Sequence, residues 1–387
     1  MKVLVLHNRY NLRGGEESVF EAECGLLERN GIEVRRLEFT NAGFASGWRR
    51  ILAPLVSVFN PVSFLKARRA IREFRPDVLH VHNLFSNATP AVIWAASSER
   101  VPVVMTLHNF RLLCPSATLL HDGEIFESSL RAFFPWRAVA KGVYRGSRAQ
   151  TFALAANLVF HRLIGTWGRV DRFIVLSRFA QEKFATSRLG FLRSRFVVKP
   201  NFVAAGPLPD SPSRERFLFV GRLSPEKGVH VLLEAVKGTS IPLDIVGDGP
   251  LRSEVESAAA ANPHLRYLGP RPREEVDAAM RSAKALLFPS IWYEGMPMVI
   301  LESFSVGTPV VASRLGTMAE LIQDGDNGRL FEPGEPASLR SAVQGVLGNP
   351  EAWAAMSAGA RRSWETHYAP ETNFVLLREI YEGVVPR

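Results

Sequence analysis

Residues 285–313 read "ALLFPSIWYEGMPMVILESFSVGTPVVAS". The two ends, ALLFPS (285–290) and PVVAS (309–313), are continuous apolar runs, as strands buried on both faces of a parallel sheet read. Between them a loop turns into a helix, with Pro297 at a first-turn position. Strand, helix, strand is the βαβ unit of an α/β sheet. The segment also holds two carboxylates, Glu294 and Glu302, in otherwise apolar surroundings.

The same alternation extends in both directions. Strand-like runs occur at 3–7, 33–39, 78–82, 102–108, 173–177 and 196–200, and again at 217–221, 243–247 and 265–269. Helical stretches such as PLRSEVESAAAAN (250–262) lie between them. This predicts an α/β protein with two Rossmann-like, doubly wound parallel-sheet domains facing a cleft. The stretch PNFVAAGPLPDSPSRER (200–216), rich in Pro, Gly and Ser, predicts a linker. The expected division is 1–200, 201–365, and a terminal helix in 366–387 that either covers the second domain or crosses back to the first.

The chain has 387 residues, 47% hydrophobic and 22% charged, the composition of an ordinary globular protein. Its two cysteines, Cys24 and Cys114, have neither metal spacing nor a disulfide framework. MKVLVLHNRY starts a strand at once and is too soon broken for a signal peptide. No apolar run reaches the roughly 20 residues a membrane span needs. A cytoplasmic location is expected. The charge is uneven: residues 1–200 carry 29 Lys+Arg against 15 Asp+Glu, a net of +14, and the remainder 18 against 23, a net of −5. The first half therefore calls for an anionic partner. No nucleic-acid motif accompanies the charge, so a membrane surface or an anionic lipid-linked substrate is the expected one.

In doubly wound sheets ligands bind at the carboxyl ends of strands, so chemistry is sought in strand-end loops. In FVGRLSPEKGVHVLLEAV (219–236), Arg222 and Lys227 sit beside a helix N-terminus, where orphan N–H groups already favour an anion. Two cations suit a diphosphate; a solvated basic turn is the alternative. In LDIVGDGPLRSEVE (243–256), Asp248 and Gly249 open a helix with room for a ligand, or simply form a helix start. Glu294 lies in a strand-end loop and Glu302 nearly two turns into the next helix. At 1.5 Å per residue they are too far apart for one metal site or acid dyad. They suit the two ends of an extended ligand, with the backbone of Gly295, Met296, Pro297 and Met298 between them. Val299, Leu301 and Phe304 make that helix largely buried, where an unpartnered carboxylate is costly.

GRLSPEKG, VGDGP and E-x7-E with a GMPMV core, in that order, resemble the retaining nucleotide-sugar glycosyltransferases of family 4. The resemblance covers nearly the whole chain and implies the GT-B superfold. It implies that Glu302 binds the ribose, that Arg222 and Lys227 hold the diphosphate, and that Glu294 meets the donor sugar. Gly295, Met296, Pro297, Met298 and Val299 would lie along the donor. In LHNRYNLRGGEESVF (6–20), Gly14 and Gly15 permit a left-handed turn or close ligand approach; family members have a similar loop that meets the donor diphosphate or the acceptor. His108, at the end of a strand, becomes by resemblance a contact to the transferred sugar. Ser177 and Asn201 are weaker candidates.

Arg222, Lys227, Glu294 and His108 are the expected catalytic set. The expected reaction moves a hexosyl unit from a UDP- or GDP-sugar to a glycan or lipid-linked acceptor, with retention. A sugar-nucleotide epimerase and a non-catalytic nucleotide-sugar binder are the rivals. No metal or other cofactor is expected. Asp324-Gly325-Asp326 matches a DxD pattern, but QDGDNGRLF reads as a turn, and no other cluster has ligand spacing in the sequence. Segments 47–75 and 131–150 mix aromatics with cations and suit either an anionic membrane surface or a helix packed on its domain with a solvated basic face.

Overall fold

A computed structural model describes residues 1–9, 15–40, 58–84, 87–207 and 214–386. The chain forms two compact units: Met1–His121, Phe126–Asn201 and Asn373–Arg387 make the first, Asp122–Ile125 and Phe202–Thr372 the second.

The first unit contains β1 (Lys2–Arg9), α1 (Gly15–Arg29), β2 (Glu33–Thr40), α2 (Pro61–Phe74), β3 (Val78–Val81), α3 (Ala91–Ser98), β4 (Val103–Leu107), α4 (Trp136–Lys141), α5 (Arg148–Leu163), β5 (Arg172–Val175), α6 (Arg178–Ala185) and β6 (Phe196–Val198). The six strands are parallel, in the order β2-β1-β3-β4-β5-β6. Val3, Val5 and Val78 face a core shared with Phe20, Cys24 and Leu27 of α1. Burial holds the Cys24 thiol protonated, its pKa raised to about 12. Helix starts use the expected polar caps: Asn60 accepts from Val62 N and Ser147 from Gln150 N.

The second unit contains β7 (Phe217–Val220), α7 (Val229–Val236), β8 (Leu243–Val246), α8 (Arg252–Ala261), β9 (Leu265–Gly269), α9 (Arg273–Ser282), β10 (Leu286–Phe288), α10 (Met298–Ser305), β11 (Val310–Ser313), α11 (Gly316–Leu321), β12 (Gly328–Phe331), α12 (Pro336–Leu347) and α13 (Pro350–Ser363). Its parallel sheet has the order β9-β8-β7-β10-β11-β12. A π-helical turn comes next, at Trp364–Tyr368. α14 (Pro370–Glu382) then places Leu377 and Tyr381 in the first unit's core.

Strand order reverses between β1 and β3 in the first unit and between β7 and β10 in the second. Those reversals open crevices at the strands' carboxyl ends. The linker does more than span: Arg214 is buried and donates to the carbonyls of Val306 and Gly307 and to Thr308 Oγ1.

Candidate active site

In the second unit the strand-end residues converge at the β7/β10 reversal. Gly228 has φ 71°, and a Cβ there would lie 1.8 Å from Pro289 O. Only glycine lets the loop after β7 lie against the end of β10. Ile291 N donates to Glu226 O at 3.0 Å, tying the same two loops. Lys227 Nζ then reaches Glu294 Oε1 at 2.7 Å. The same oxygen accepts from Ser290 Oγ at 2.6 Å and Trp292 Nε1 at 2.8 Å. Three donors on one oxygen of this nearly buried carboxylate orient it firmly. Arg222 is exposed and makes no ion pair among the described residues. α10 begins with Pro297 as its cap and no side-chain hydrogen bond, so its first amides remain available to an anion.

Gly-Asp-Gly after β8 has a packing reason. A Cβ on Gly247 would lie 1.9 Å from Gly221 O, and one on Gly249 2.5 Å from Leu223 O. Asp248 O accepts from Leu223 N at 2.9 Å, while its exposed carboxylate bonds Gly249 N at 2.8 Å.

Several expectations need correction. α10 starts at Met298, so Glu302 is just over one turn in, about 6 Å along the axis, not nearly two turns. Glu302 is neither unpartnered nor fully buried: its side chain is 17% exposed and Arg273 Nη1 lies 2.5 Å from Oε1. Sequence reasoning misses Arg273 because its partner is 29 residues away. Pro297 has no N–H, so within the 295–298 stretch only Gly295, Met296 and Met298 can offer one. Gly14 lies outside the described residues. Gly15 opens α1 without a positive φ, and a Cβ there would meet nothing within 4 Å, so of the two uses of glycine named for it the left-handed turn is not the one made. Ser177 is the cap of α6, accepting from Ala180 N. Asn201 is buried with Oδ1 unbonded among the described residues. Asp324 accepts from Leu330 N and Asp326 pairs with Arg362, each at 2.9 Å, so the DxD match is a braced turn.

The first unit's reversal gathers a group that sequence spacing conceals. His82 Nδ1 lies 3.2 Å from His108 Nε2. His80 Nδ1 and His82 Nε2 lie 3.3 and 3.2 Å from Glu23 Oε1, and Lys199 Nζ is 2.9 Å from Glu23 Oε2. Ligand-type atoms of Glu23, His80 and His82 fall within 4.8 Å of one another, a grouping that spacing along the sequence does not show; the Lys199 ammonium already balances the carboxylate. Burial holds His7, His80 and His108 neutral, with His7 lowered to about 4. Beside His108 a cavity is lined by Glu16, His82, Asn83 and Asn109. Glu16 accepts from Asn109 at 2.9 Å and Asn83 at 3.2 Å. The overlooked signal is a repeated triplet: LHN at 6–8, VHN at 81–83 and LHN at 107–109, each at the end of one of three adjacent strands.

Comparison with known proteins agrees with this layout. The glycosyl transferase 4-like domain matches residues 3–201, and glycosyl transferases group 1 matches 208–363. An uncharacterized glycosyltransferase of Methanocaldococcus jannaschii is 28% identical over 214 residues, 55% of this chain and 59% of that protein, so the match spans less than two thirds of the relative. Phosphatidyl-myo-inositol mannosyltransferase of Mycobacterium leprae is 29% identical over 323 residues, 79% of this chain and 74% of that protein. The Anabaena HepE structure in complex with UDP has a TM-score of 0.70 at 20% identity, covering 99% of this chain and 100% of that one; at that identity it speaks for the fold. Two parallel six-stranded sheets and two adjoining matches that together run from residue 3 to 363 lead to one conclusion: the chain belongs to the group 1, family 4-like glycosyltransferases and has their GT-B fold.

Proposed function

We propose that this glycosyltransferase moves a hexosyl unit from a nucleoside-diphosphate sugar to a glycan or lipid-linked acceptor, with retention at the anomeric carbon. The observation that carries the reading is the meeting of Arg222, the Lys227–Glu294 pair and the uncapped start of α10 at one strand-order reversal. Arg222, Lys227 and the amides of Met298 and Val299 hold the diphosphate. They also neutralise the charge that grows on it as the sugar leaves. Glu294 accepts from a sugar hydroxyl, and Glu302 takes the ribose hydroxyls beside Arg273. These cations do what a metal ion does in other transferases, so the reading needs no ion. The HepE complexes with UDP and UDP-glucose support a uridine nucleotide, and the M. leprae relative, named a mannosyltransferase, supports a hexosyl unit.

The acceptor oxygen bonds the anomeric carbon on the face from which the diphosphate leaves, and the leaving phosphate takes the acceptor's proton, so configuration is retained; an inverted product anomer by NMR rules this out. The acceptor side belongs to the first unit. There Trp136 is 63% and Phe133 57% exposed, and Val62 and Leu65 of α2 are exposed as well. Arg131, Arg137 and Lys141 stand among these aromatics, a surface suited to anionic headgroups. No helix among the described residues is long and apolar enough to cross a membrane. Of segment 47–75, residues 47–57 lie outside the described residues.

Calorimetry with UDP, GDP, ADP and dTDP, with and without EDTA, tests the donor site. One nucleotide is expected to bind in EDTA and to weaken tenfold or more in Lys227→Ala. Binding of none, or binding only with metal, overturns the reading.

A further inference from the structure

His108, the residue expected at the transferred sugar, stands at one end of a row of imidazoles that continues through His82 to His80. Glu23, on α1, is buried beside them with Lys199 Nζ 2.9 Å from Oε2. The same ammonium donates to Asn373 Oδ1 at 3.0 Å. Burial alone would favour the protonated acid; Lys199, with the two neighbouring imidazoles, overrides it and keeps Glu23 ionised. Its other oxygen lies 3.2 Å from His82 Nε2, close enough for attraction but outside hydrogen-bond geometry. A nitrogen lone pair facing an anion at that distance, away from water, is repelled, whereas an N–H is attracted even when the line is bent. In its neutral form His82 therefore carries its proton on Nε2 and presents a bare Nδ1. His108 Nε2 lies 3.2 Å from that Nδ1, so His108 must be the donor. Its own Nδ1 is then bare, has no protein partner among the described residues, and belongs to a residue lining the cavity.

We propose that Glu23 and His82 are positioning residues that lock His108 as its Nε2–H tautomer, leaving Nδ1 as a hydrogen-bond acceptor for a sugar hydroxyl. The tautomer is a property of the free protein. Only the identity of the hydroxyl rests on the glycosyltransfer reading, so the two fail separately. His80 sits outside the chain of protons: Tyr381 OH meets its Nδ1 at 2.7 Å and Thr106 Oγ1 its Nε2 at 2.8 Å. A cation bound by Glu23, His80 and His82 would take the His82 Nε2 lone pair and reverse the whole order.

The test is a long-range proton–nitrogen NMR spectrum of the full chain with 15N-labelled histidine, at neutral pH. His82 and His108 are both expected with Nε2 protonated and Nδ1 bare. Glu23→Gln keeps the shape but turns an amide N–H toward His82 while its carbonyl still accepts from Lys199. Both tautomers are then expected to reverse, with nucleotide affinity unchanged within about twofold, since Glu23 is remote from the diphosphate residues in sequence and lies in the other unit. If that variant does not fold, His82→Phe removes the acceptor and His108 is expected to populate both tautomers. His108 protonated on Nδ1 in the wild type, no reversal in folded Glu23→Gln, a single unchanged Nε2–H state in His82→Phe, or stoichiometric metal in the purified protein each overturns the proposal.

Discussion

Each unit holds one lysine–glutamate pair beside its strand-order reversal, and the two differ in one respect. Lys227 and Glu294 are 2.7 Å apart with side chains 24% and 8% exposed. Lys199 and Glu23 are 2.9 Å apart and only 1% and 2% exposed. Both carboxylates are shared, one with Ser290 and Trp292, the other placed against His80 and His82. The open pair can hand its cation to a ligand, because water and the ligand can replace what Glu294 gives up. The sealed pair cannot, because separating charges in a dry core costs several kcal/mol per ion. One arrangement grips; the other supplies a fixed field.

The largest expected effect comes from that difference. Lys199→Ala strands a buried carboxylate and is expected to cost about 3–5 kcal/mol of stability, read from the denaturant midpoint. Lys227→Ala leaves Glu294 two other donors and is expected to cost at most about 1 kcal/mol, as a partly exposed pair does. Equal losses would dissolve the contrast. Next in size is Gly228→Ala. It forces a Cβ to 1.8 Å from Pro289 O at φ 71°, with an expected loss of about 1–3 kcal/mol and weaker nucleotide binding by calorimetry. Near-normal binding would show that the β7 and β10 loops need not touch.

A pH effect is expected in the first unit. His7, His80 and His108 are held below their ordinary value by burial, His7 to about 4. The unfolded chain then binds their protons first, so stability is full above the unfolded value near 6.5 and falls as pH drops toward 4. Glu23 has the opposite origin: its lowered value contributes stability above the unfolded carboxylate range, lost only at still lower pH. His7→Leu is expected to make the decline between pH 6.5 and 4 shallower, measured by urea unfolding across that range; an unchanged slope contradicts this account. The smallest effect is expected of Arg273→Ala. It frees Glu302, and because Arg273 is more than half exposed, nucleotide affinity is expected to change by less than about tenfold.

Legibility in the sequence tracks burial. The continuous apolar runs of β1, β3, β4, β7 and β10 announce themselves because both faces of each are covered. β12, GRLF, does not: a short edge strand with Arg in it has little hydrophobic signal, and in the sequence it merges with the turn before it. GRLSPEKG and E-x7-E point to the donor residues because each is a short local motif. The Glu23–His82–His108 line is hidden: its members lie on α1 and at the ends of β3 and β4, and only the repeated His-Asn pairs hint at it.

The chain's order of residues by itself determined the α/β alternation, the two-unit division near residue 200 and the presence of an acid-and-cation set in the second half, because those rest on local pattern. Strand order, and everything that depends on it, was decided in three dimensions. Glu294 meets Lys227 across 67 positions and Glu23 meets Lys199 across 176. Parallel strands are joined through long crossovers, so neighbours in a sheet are distant in sequence. Burial then turns one such meeting into a grip and the other into a sealed charge.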